Sequence, residues 1–159
     1  MKLELEQQLV AKYPKLFSDY GGDVKDTCLA FGFECGDGWF NLIETLCGSI
    51  HSHCDFINRL YPHIQIQPVA VQVKEKYGSL RFYLDFHHAE NLEDHDMEKF
   101  RKTCHFIDGM VSMAEAMSER VCGHCGEAFR LDRDQPFPHS ICDACETTLA
   151  DERASRDWA

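Results

Sequence analysis

The chain of 159 residues has no hydrophobic run long enough to span a membrane, no low-complexity tract and no internal repeat. Its first six residues, MKLELE, are charged and amphipathic, whereas a secretory signal places an apolar stretch after a positively charged start. The nine cysteines therefore do not indicate the disulfide framework of a secreted protein. We expect a cytoplasmic protein with reduced thiols and no membrane partner.

Positive charge is also scarce. The chain has 16 lysines and arginines against 27 aspartates and glutamates, and its formal net charge is −11. A surface this acidic repels phosphate backbones and anionic lipids, which disfavours non-specific binding to nucleic acid or membranes. Against this background, three cations lie close together at Lys74, Lys76 and Arg81.

A catalytic pattern is missing as well. No cysteine stands in a recognisable nucleophile setting, and the polar groups at residues 85–88 and 94–96 are typical of solvated loops. The sequence leaves open a second metal site, which would accompany a hydrolytic activity. Its candidate ligands are Cys28, Cys35, Cys47, His51 and Cys54.

The strongest pattern is two Cys-x-x-Cys pairs near the C-terminus, separated by sixteen residues. Each pair lets two thiolates converge on one ion from a tight turn. Four thiolates fill the tetrahedral shell of a zinc ion and leave no position for water, so the metal would stabilise the fold without performing chemistry. We predict one structural Zn²⁺, held by Cys122, Cys125, Cys142 and Cys145.

Hydrophobic residues make up 44% of the chain, which suffices for one main core with a small metal-binding appendage. We predict a core domain over residues 1–119 and a zinc-binding module over residues 120–159. In the module, a return hairpin over residues 129–141 is expected between the cysteine pairs, followed by a helix over residues 142–154. This order is typical of a treble clef or a zinc ribbon, with the treble clef favoured.

Three segments have apolar residues at three- and four-residue steps, which predicts helices over residues 3–17, 37–61 and 96–119. Pro14 is expected to break or kink the first helix, and Asp37 to cap the N-terminus of the second. The apolar arc of the third helix is unusually wide. Its width indicates burial on two sides or contact with a partner.

Alternating apolar and polar residues predict an antiparallel hairpin between residues 69 and 86. With Gly78-Ser79 as a two-residue turn, Val73 would pair with Leu84, and the apolar side chains would share one face. Two strands alone are marginally stable, so helices must cover that face. The predicted class is α+β, with a small antiparallel sheet covered by helices and a C-terminal four-cysteine zinc module.

The outer face of this hairpin carries the three clustered cations. Lys74, Lys76 and Arg81 emerge beside Tyr83, which places cations next to an aromatic ring, as in sites that bind single-stranded nucleic acid. The polar side of any half-buried sheet has the same composition. Two interpretations therefore stay open, an ordinary solvated face and a binding face for a phosphate, a nucleic acid strand or an acidic partner.

Two segments resemble a family of small bacteriophage and prophage proteins without assigned activity. They are GFECGDGWF at residues 32–40, running into Leu42 and Ile43, and VQVKEKYGSLRFY at residues 71–83, followed by a helix and paired cysteines. The resemblance extends over about residues 31–145. It implies a phage setting and a bacterial host cytoplasm, and it brings no catalytic residues.

From the closed metal site, the negative charge and the missing catalytic pattern we expect a non-enzymatic phage accessory protein that binds a host protein. A phage setting favours inhibition of host defence or regulation of host machinery. The alternative is a nucleic-acid-binding zinc protein that uses the basic hairpin face, and a hydrolase with a second metal is the second alternative. The oligomeric state is left open by the sequence.

Overall fold

The structure is a computed structural model, and it describes residues 1–25 and 27–156. The predicted α+β class, with a two-stranded antiparallel sheet, is confirmed. None of the described helices is long and apolar enough to cross a membrane. Residues 157–159 of the predicted zinc module lie outside the described residues. The elements are helices α1 (Leu3–Lys12), α2 (Phe40–Leu60), α3 (Asp94–Ser118) and α4 (Asp143–Arg156), strands β1 (Gln67–Lys76) and β2 (Ser79–His87), and 3₁₀ turns at Cys28–Phe31 and Asp37–Trp39.

Helix α1 is shorter than predicted. It ends at Lys12, and the following Tyr13 has the non-helical angles φ −127° and ψ 57°. Pro14 is the cause, because its ring disfavours the helical conformation in the residue before it and it has no N–H to donate.

Asp37 does not cap the helix that follows it. Its carboxylate accepts the backbone N–H of Lys2 at 2.7 Å and pairs with the Lys2 ammonium at 3.1 Å. Lys2 is the N-cap residue of α1, so Asp37 stabilises the start of that helix instead. Partial burial raises the pKa of Asp37, but the N–H and the ammonium of Lys2 outweigh it and hold the pKa below its ordinary value.

The hairpin forms with a register that differs from the predicted one. The turn residues are Tyr77 and Gly78, Lys76 pairs with Ser79, and Val73 pairs with Phe82. Both turn residues have positive φ, 53° at Tyr77 and 80° at Gly78, as a type I′ turn requires. Next to the turn the apolar residues still share one face, because moving the turn by one residue changes each pairing by two. A bulge between Ala70 and Gln72 shifts the register once more, so that Ala70 joins the core in place of Val71.

Helix α3 lies along the outer edge of β2. The Leu80 N–H donates to the Ser118 hydroxyl at 2.8 Å, and the Phe82 N–H donates to the Glu115 carboxylate at 3.1 Å. Glu34 forms a parallel bridge with β1 on the opposite edge. Both edges of the hairpin are therefore covered near the turn.

The core lies between α2, the hairpin and α3. Helix α2 buries the predicted stripe from Ile43 to Ile50 but leaves Leu60 at its end exposed, and α3 buries only part of its wide apolar arc. Met113 is 63% exposed and Phe106 is 56% exposed. The apolar arc of α3 thus extends beyond the core and onto the surface.

Candidate metal centre

The four cysteines of the two Cys-x-x-Cys pairs converge on one point. Their sulfur atoms all lie within 4.8 Å of one another, and the Sγ atoms of Cys125 and Cys142 are 3.9 Å apart. A tetrahedral ion with metal–sulfur bonds of about 2.3 Å separates its sulfur ligands by roughly 3.8 Å. The cluster therefore has the donor set and the dimensions of a four-thiolate metal site.

The first pair is held by a tight backbone turn. The Gly126 N–H donates to the Cys122 carbonyl at 2.9 Å, and the Cys122 N–H donates to the Glu127 carbonyl at 2.9 Å. Gly126 has φ +79°, a conformation that other residues rarely adopt. We call the resulting loop, residues 122–126, the knuckle.

The second pair lies at the start of α4. Cys142 directly precedes the helix and Cys145 lies in its first turn, where the N-terminal end of the helix dipole favours negative charge. The Cys142 N–H points at the Cys122 sulfur at 3.3 Å and links the two pairs. The predicted ligand-bearing helix is thus present.

The return hairpin predicted over residues 129–141 is absent from the structure, which shows no strand there. Two prolines explain the difference, because Pro136 and Pro138 have no N–H to donate to a strand ladder. A single antiparallel bridge between Val121 and Ala128 closes the knuckle. The knuckle and the helix after the second cysteine pair agree with the predicted treble clef. The missing hairpin between the two pairs does not.

The thiols of the cluster have unequal acidities. Burial would raise the pKa of Cys122, but the N–H groups of Cys125, Cys142 and His124 outweigh burial and lower it to about 6. Burial and then the neighbouring thiols raise the pKa of Cys145 far above its ordinary value. The Cys122 thiolate is thus stabilised by the backbone, and a bound cation would favour ionisation of Cys145 beside it.

The knuckle is docked on the core by a segment that lies near the middle of the fold. The Gly38 N–H donates to the Gly123 carbonyl at 2.9 Å. A β-carbon on Gly38 would lie 2.2 Å from the Cys122 carbonyl oxygen, and one on Gly36 would lie 1.8 Å from the Gly123 carbonyl oxygen. The two glycines of the Gly36-Asp37-Gly38 sequence are therefore required for this close approach.

Trp39 adds a directed bond at the same place. Its side chain is fully buried, and its indole N–H donates to the Val121 carbonyl at 2.9 Å. Elsewhere Gly78, at the hairpin turn, packs against the Leu131 side chain. These contacts cross the predicted boundary between residues 119 and 120, and the division into two domains stays a prediction.

The sequence singled out the paired cysteines but not the residues that position them. Two glycines around an aspartate indicate a turn, and nothing in their spacing relates them to a knuckle more than 80 residues later. The local signal at this place is Asp37 before an apolar periodic run, which predicts a helix start and not a docking contact.

The other cysteines do not form a second site. Burial raises the pKa of Cys35 and of Cys54 to about 12 and that of Cys104 to about 11, so these thiols stay protonated. Within residues 1–25 and 27–156, the four-cysteine cluster is the only group of three or more Cys, His, Asp or Glu placed to hold one ion. The structure does not bring together the candidate second ligands Cys28, Cys35, Cys47, His51 and Cys54.

The basic hairpin face is brought together only in part. The Lys74 ammonium lies 5.7 Å from the centre of the Tyr83 ring, as a cation–π contact requires. Lys76 is exposed, whereas the Arg81 guanidinium pairs with the Glu115 carboxylate of α3 at 3.5 Å. Arg81 is therefore largely neutralised and partly buried, which leaves two of the three cations free of an acidic partner on this face.

The polar group at residues 94–96 is not simply solvated. Asp96 is buried, and its carboxylate accepts from the Lys99 ammonium at 2.8 Å and contacts the His63 ring nitrogen at 3.0 Å. Lys99 first, and then His63, hold the pKa of Asp96 below its ordinary value. The contact between Asp96 and His63 links the loop after α2 to the start of α3, which is a structural role.

Comparison of the chain with protein-family models, with curated proteins and with solved structures finds no match. The resemblance to phage and prophage proteins accordingly stays a prediction. The geometry of the cysteine cluster and the composition of the surfaces around it are the observations that bear on function.

Proposed function

We propose that the protein is a non-enzymatic phage accessory protein in which one structural Zn²⁺ fixes a C-terminal module that binds a protein of the bacterial host. The convergence of four cysteine sulfurs is the observation that carries this proposal. Zinc is the ion that such a four-thiolate tetrahedral site takes in structural modules. Because four thiolates complete the shell, no position remains where the metal can activate water.

Helix α4 supports a role in display. Residues 143–154 include none that is buried, so this described part of α4 contributes no side chain to the core. An isolated helix of this length is marginal in water, and the metal at its first turn is what holds it in place. A metal site that fixes an exposed helix is a device for presenting that helix to a partner.

The charge of α4 indicates the chemistry of the partner. Asp143 and Glu146 lie in the first turn of α4, and Asp151 lies in its second half. Together with the net charge of −11, this acidic helix favours a host protein with a basic surface. Such a surface is common on proteins that act on nucleic acids, which a phage protein can block or redirect.

The test is recovery of the tagged protein from infected cells with identification of the bound host protein. We expect the same host protein with the wild type and with Cys28→Ser, because Cys28 is an exposed cysteine outside the metal site. The variant Cys145→Ser should lose it. A double variant, Glu146→Lys with Asp151→Lys, should keep its zinc and lose the host protein.

Two results would overturn the proposal. One is that no host protein is recovered whose binding depends on the acidic residues of α4. The other is turnover of a nucleotide or nucleic acid by the purified protein together with two metal ions per chain, which is the result expected of the hydrolase alternative.

A second candidate function, nucleic acid binding, is favoured by the contact between Lys74 and Tyr83. Cations beside an exposed ring bind single strands through phosphate contacts and base stacking. Binding should weaken with salt, and Lys74→Glu, Lys76→Glu and Tyr83→Ala should each reduce it. The variant Arg81→Glu is a poor probe, because it would place two carboxylates together beside Glu115. Absence of binding to single-stranded DNA and RNA at low salt removes this candidate.

A further inference from the structure

Helix α3 presents an apolar row to solvent on its α2 side. Met110, Met113 and Met117 recur at steps of three and four residues, and Met113 and Met117 are 63% and 47% exposed. Between this row and α2 lies an open groove of about 330 Å³. The α2 side of the groove is formed by Asn41, Leu42, Thr45, Leu46 and Ser49.

No charged residue lines this groove, although 27% of the chain is charged. Methionine is enriched and charge is depleted at the centres of protein–protein interfaces. The lining residues therefore have the composition of an interface core, on a molecule whose surface is otherwise strongly acidic.

Gly109 adds a second, independent observation. It lies in the interior of α3, where glycine is a poor helix former, and a β-carbon there would meet nothing within 4 Å. The fold of a single chain therefore does not require a glycine at this position. Ser112 and Ala116 continue from Gly109 at the same steps, so one exposed small residue precedes each methionine of the row.

We propose that this face binds a second copy of the chain, with the two α3 helices antiparallel about a twofold axis at Met113. In that arrangement Met117 of one copy lies over Gly109 of the other, and Met110 lies over Ala116. Each large side chain is thus placed opposite a small one, as close helix packing requires. The glycine and the methionine row then have a common explanation.

The charge distribution favours a second copy over another occupant. A twofold interface brings the same patch of both subunits together, so any charge near the axis faces its own like charge. Two chains of net charge −11 can approach only through a face without charge, and the groove is such a face. A basic partner would find no acidic residue to pair with in this groove. The acidic helix α4, which we assign to the host protein, takes no part in the proposed dimer.

The test is the mass of the zinc-loaded full chain in sedimentation equilibrium. We expect the wild type to reach twice the 18.3 kDa of one chain, and Met113→Glu and Met113→Lys each to sediment as a single chain. An equimolar mixture of these two variants should restore the dimer, because residue 113 faces itself across the axis. Unfolding of either variant cannot give this rescue.

Two further variants complete the experiment. Gly109→Leu should abolish the dimer. The resulting monomer should melt at a higher temperature than the monomeric Met113→Glu variant, since leucine favours the helix. Val24→Glu is the matched control, because Val24 is 62% exposed, close to the 63% of Met113, and should stay dimeric. A wild type that sediments as 18.3 kDa at every concentration, or a dimer that survives Met113→Glu, overturns the proposal. A host segment found in the groove in place of the second copy also overturns it. The host-binding test uses substitutions on α4, so its failure is distinguishable from failure of the dimer.

Discussion

Gly36 and Gly123 meet backbone to backbone, so closely that a β-carbon on Gly36 would lie 1.8 Å from the Gly123 carbonyl oxygen. Because Gly36 has φ −79°, the requirement for glycine there is purely one of space and not of backbone conformation. The contact joins the centre of the chain to the knuckle that carries the first two cysteines of the cluster.

The variant Gly36→Ala should therefore destabilise the protein. The added methyl group must push the knuckle away from the core, a form of overpacking that costs about 1–3 kcal/mol. Chemical denaturation of the zinc-loaded protein measures the difference. Gly109→Ala is the control, introduced in the monomeric Met113→Glu background, where its methyl group meets open space within an exposed helix and should stabilise the chain by up to about 1 kcal/mol. Equal effects of the two variants would contradict the docking contact.

Removal of the metal should unfold the C-terminal region first. We expect one zinc per chain by elemental analysis and loss of the α4 helical signal in circular dichroism on chelation, because ion binding contributes about 10–16 kcal/mol in comparable sites. Cys142→Ser should reproduce the effect, and Cys28→Ser should bind zinc like the wild type. A purified protein that contains no metal and keeps α4 helical would refute the assignment.

Ser118 should be important for the stability of the fold. Its buried hydroxyl accepts the Leu80 N–H at 2.8 Å, so Ser118→Ala leaves a buried donor without a partner. The expected loss is about 1–3 kcal/mol in the free energy of unfolding. Ser52→Ala, at an exposed position of α2, should change it by a few tenths of a kcal/mol at most. A small effect at both positions would show that the edge contact contributes little.

The interaction of Asp37 with Lys2 should appear as a pH dependence of stability. Since the folded-state pKa of Asp37 is lowered, its contribution is present above the unfolded carboxyl pKa of about 3.9 and is lost as the pH falls through the folded value. Asp37→Asn should cost roughly 1 kcal/mol at neutral pH, and the difference from the wild type should shrink below about pH 4. A difference that stays constant across this range would exclude a charge interaction.

The helices and the metal ligands could be predicted because each follows from a local pattern. The stripe of α2 and the two cysteine pairs are periodic or regularly spaced, and Pro14 ends α1 for a reason visible in the sequence. These features depend on residues near one another in the chain. The structure confirms the convergence of the cysteine pairs, most of the α2 stripe and a break of α1 before Pro14.

The misplaced features depend on side-chain contacts that a periodic pattern does not show. Tyr77 adopts positive φ, which its type does not suggest, and the Glu75 carboxylate accepts the Gly78 N–H and stabilises that turn. Asp37 has the composition of a helix cap and serves a helix 35 residues earlier. No pattern in the sequence identifies either partner.

The covered edge of β2 limits how other molecules can bind the hairpin. Next to the turn, the outward N–H groups of Leu80 and Phe82 are already occupied by α3. An incoming extended peptide finds no backbone donors on this stretch and cannot add itself as a third strand. Recognition here must proceed through side chains, and the same closure protects this stretch from the strand-to-strand stacking that leads to fibrils.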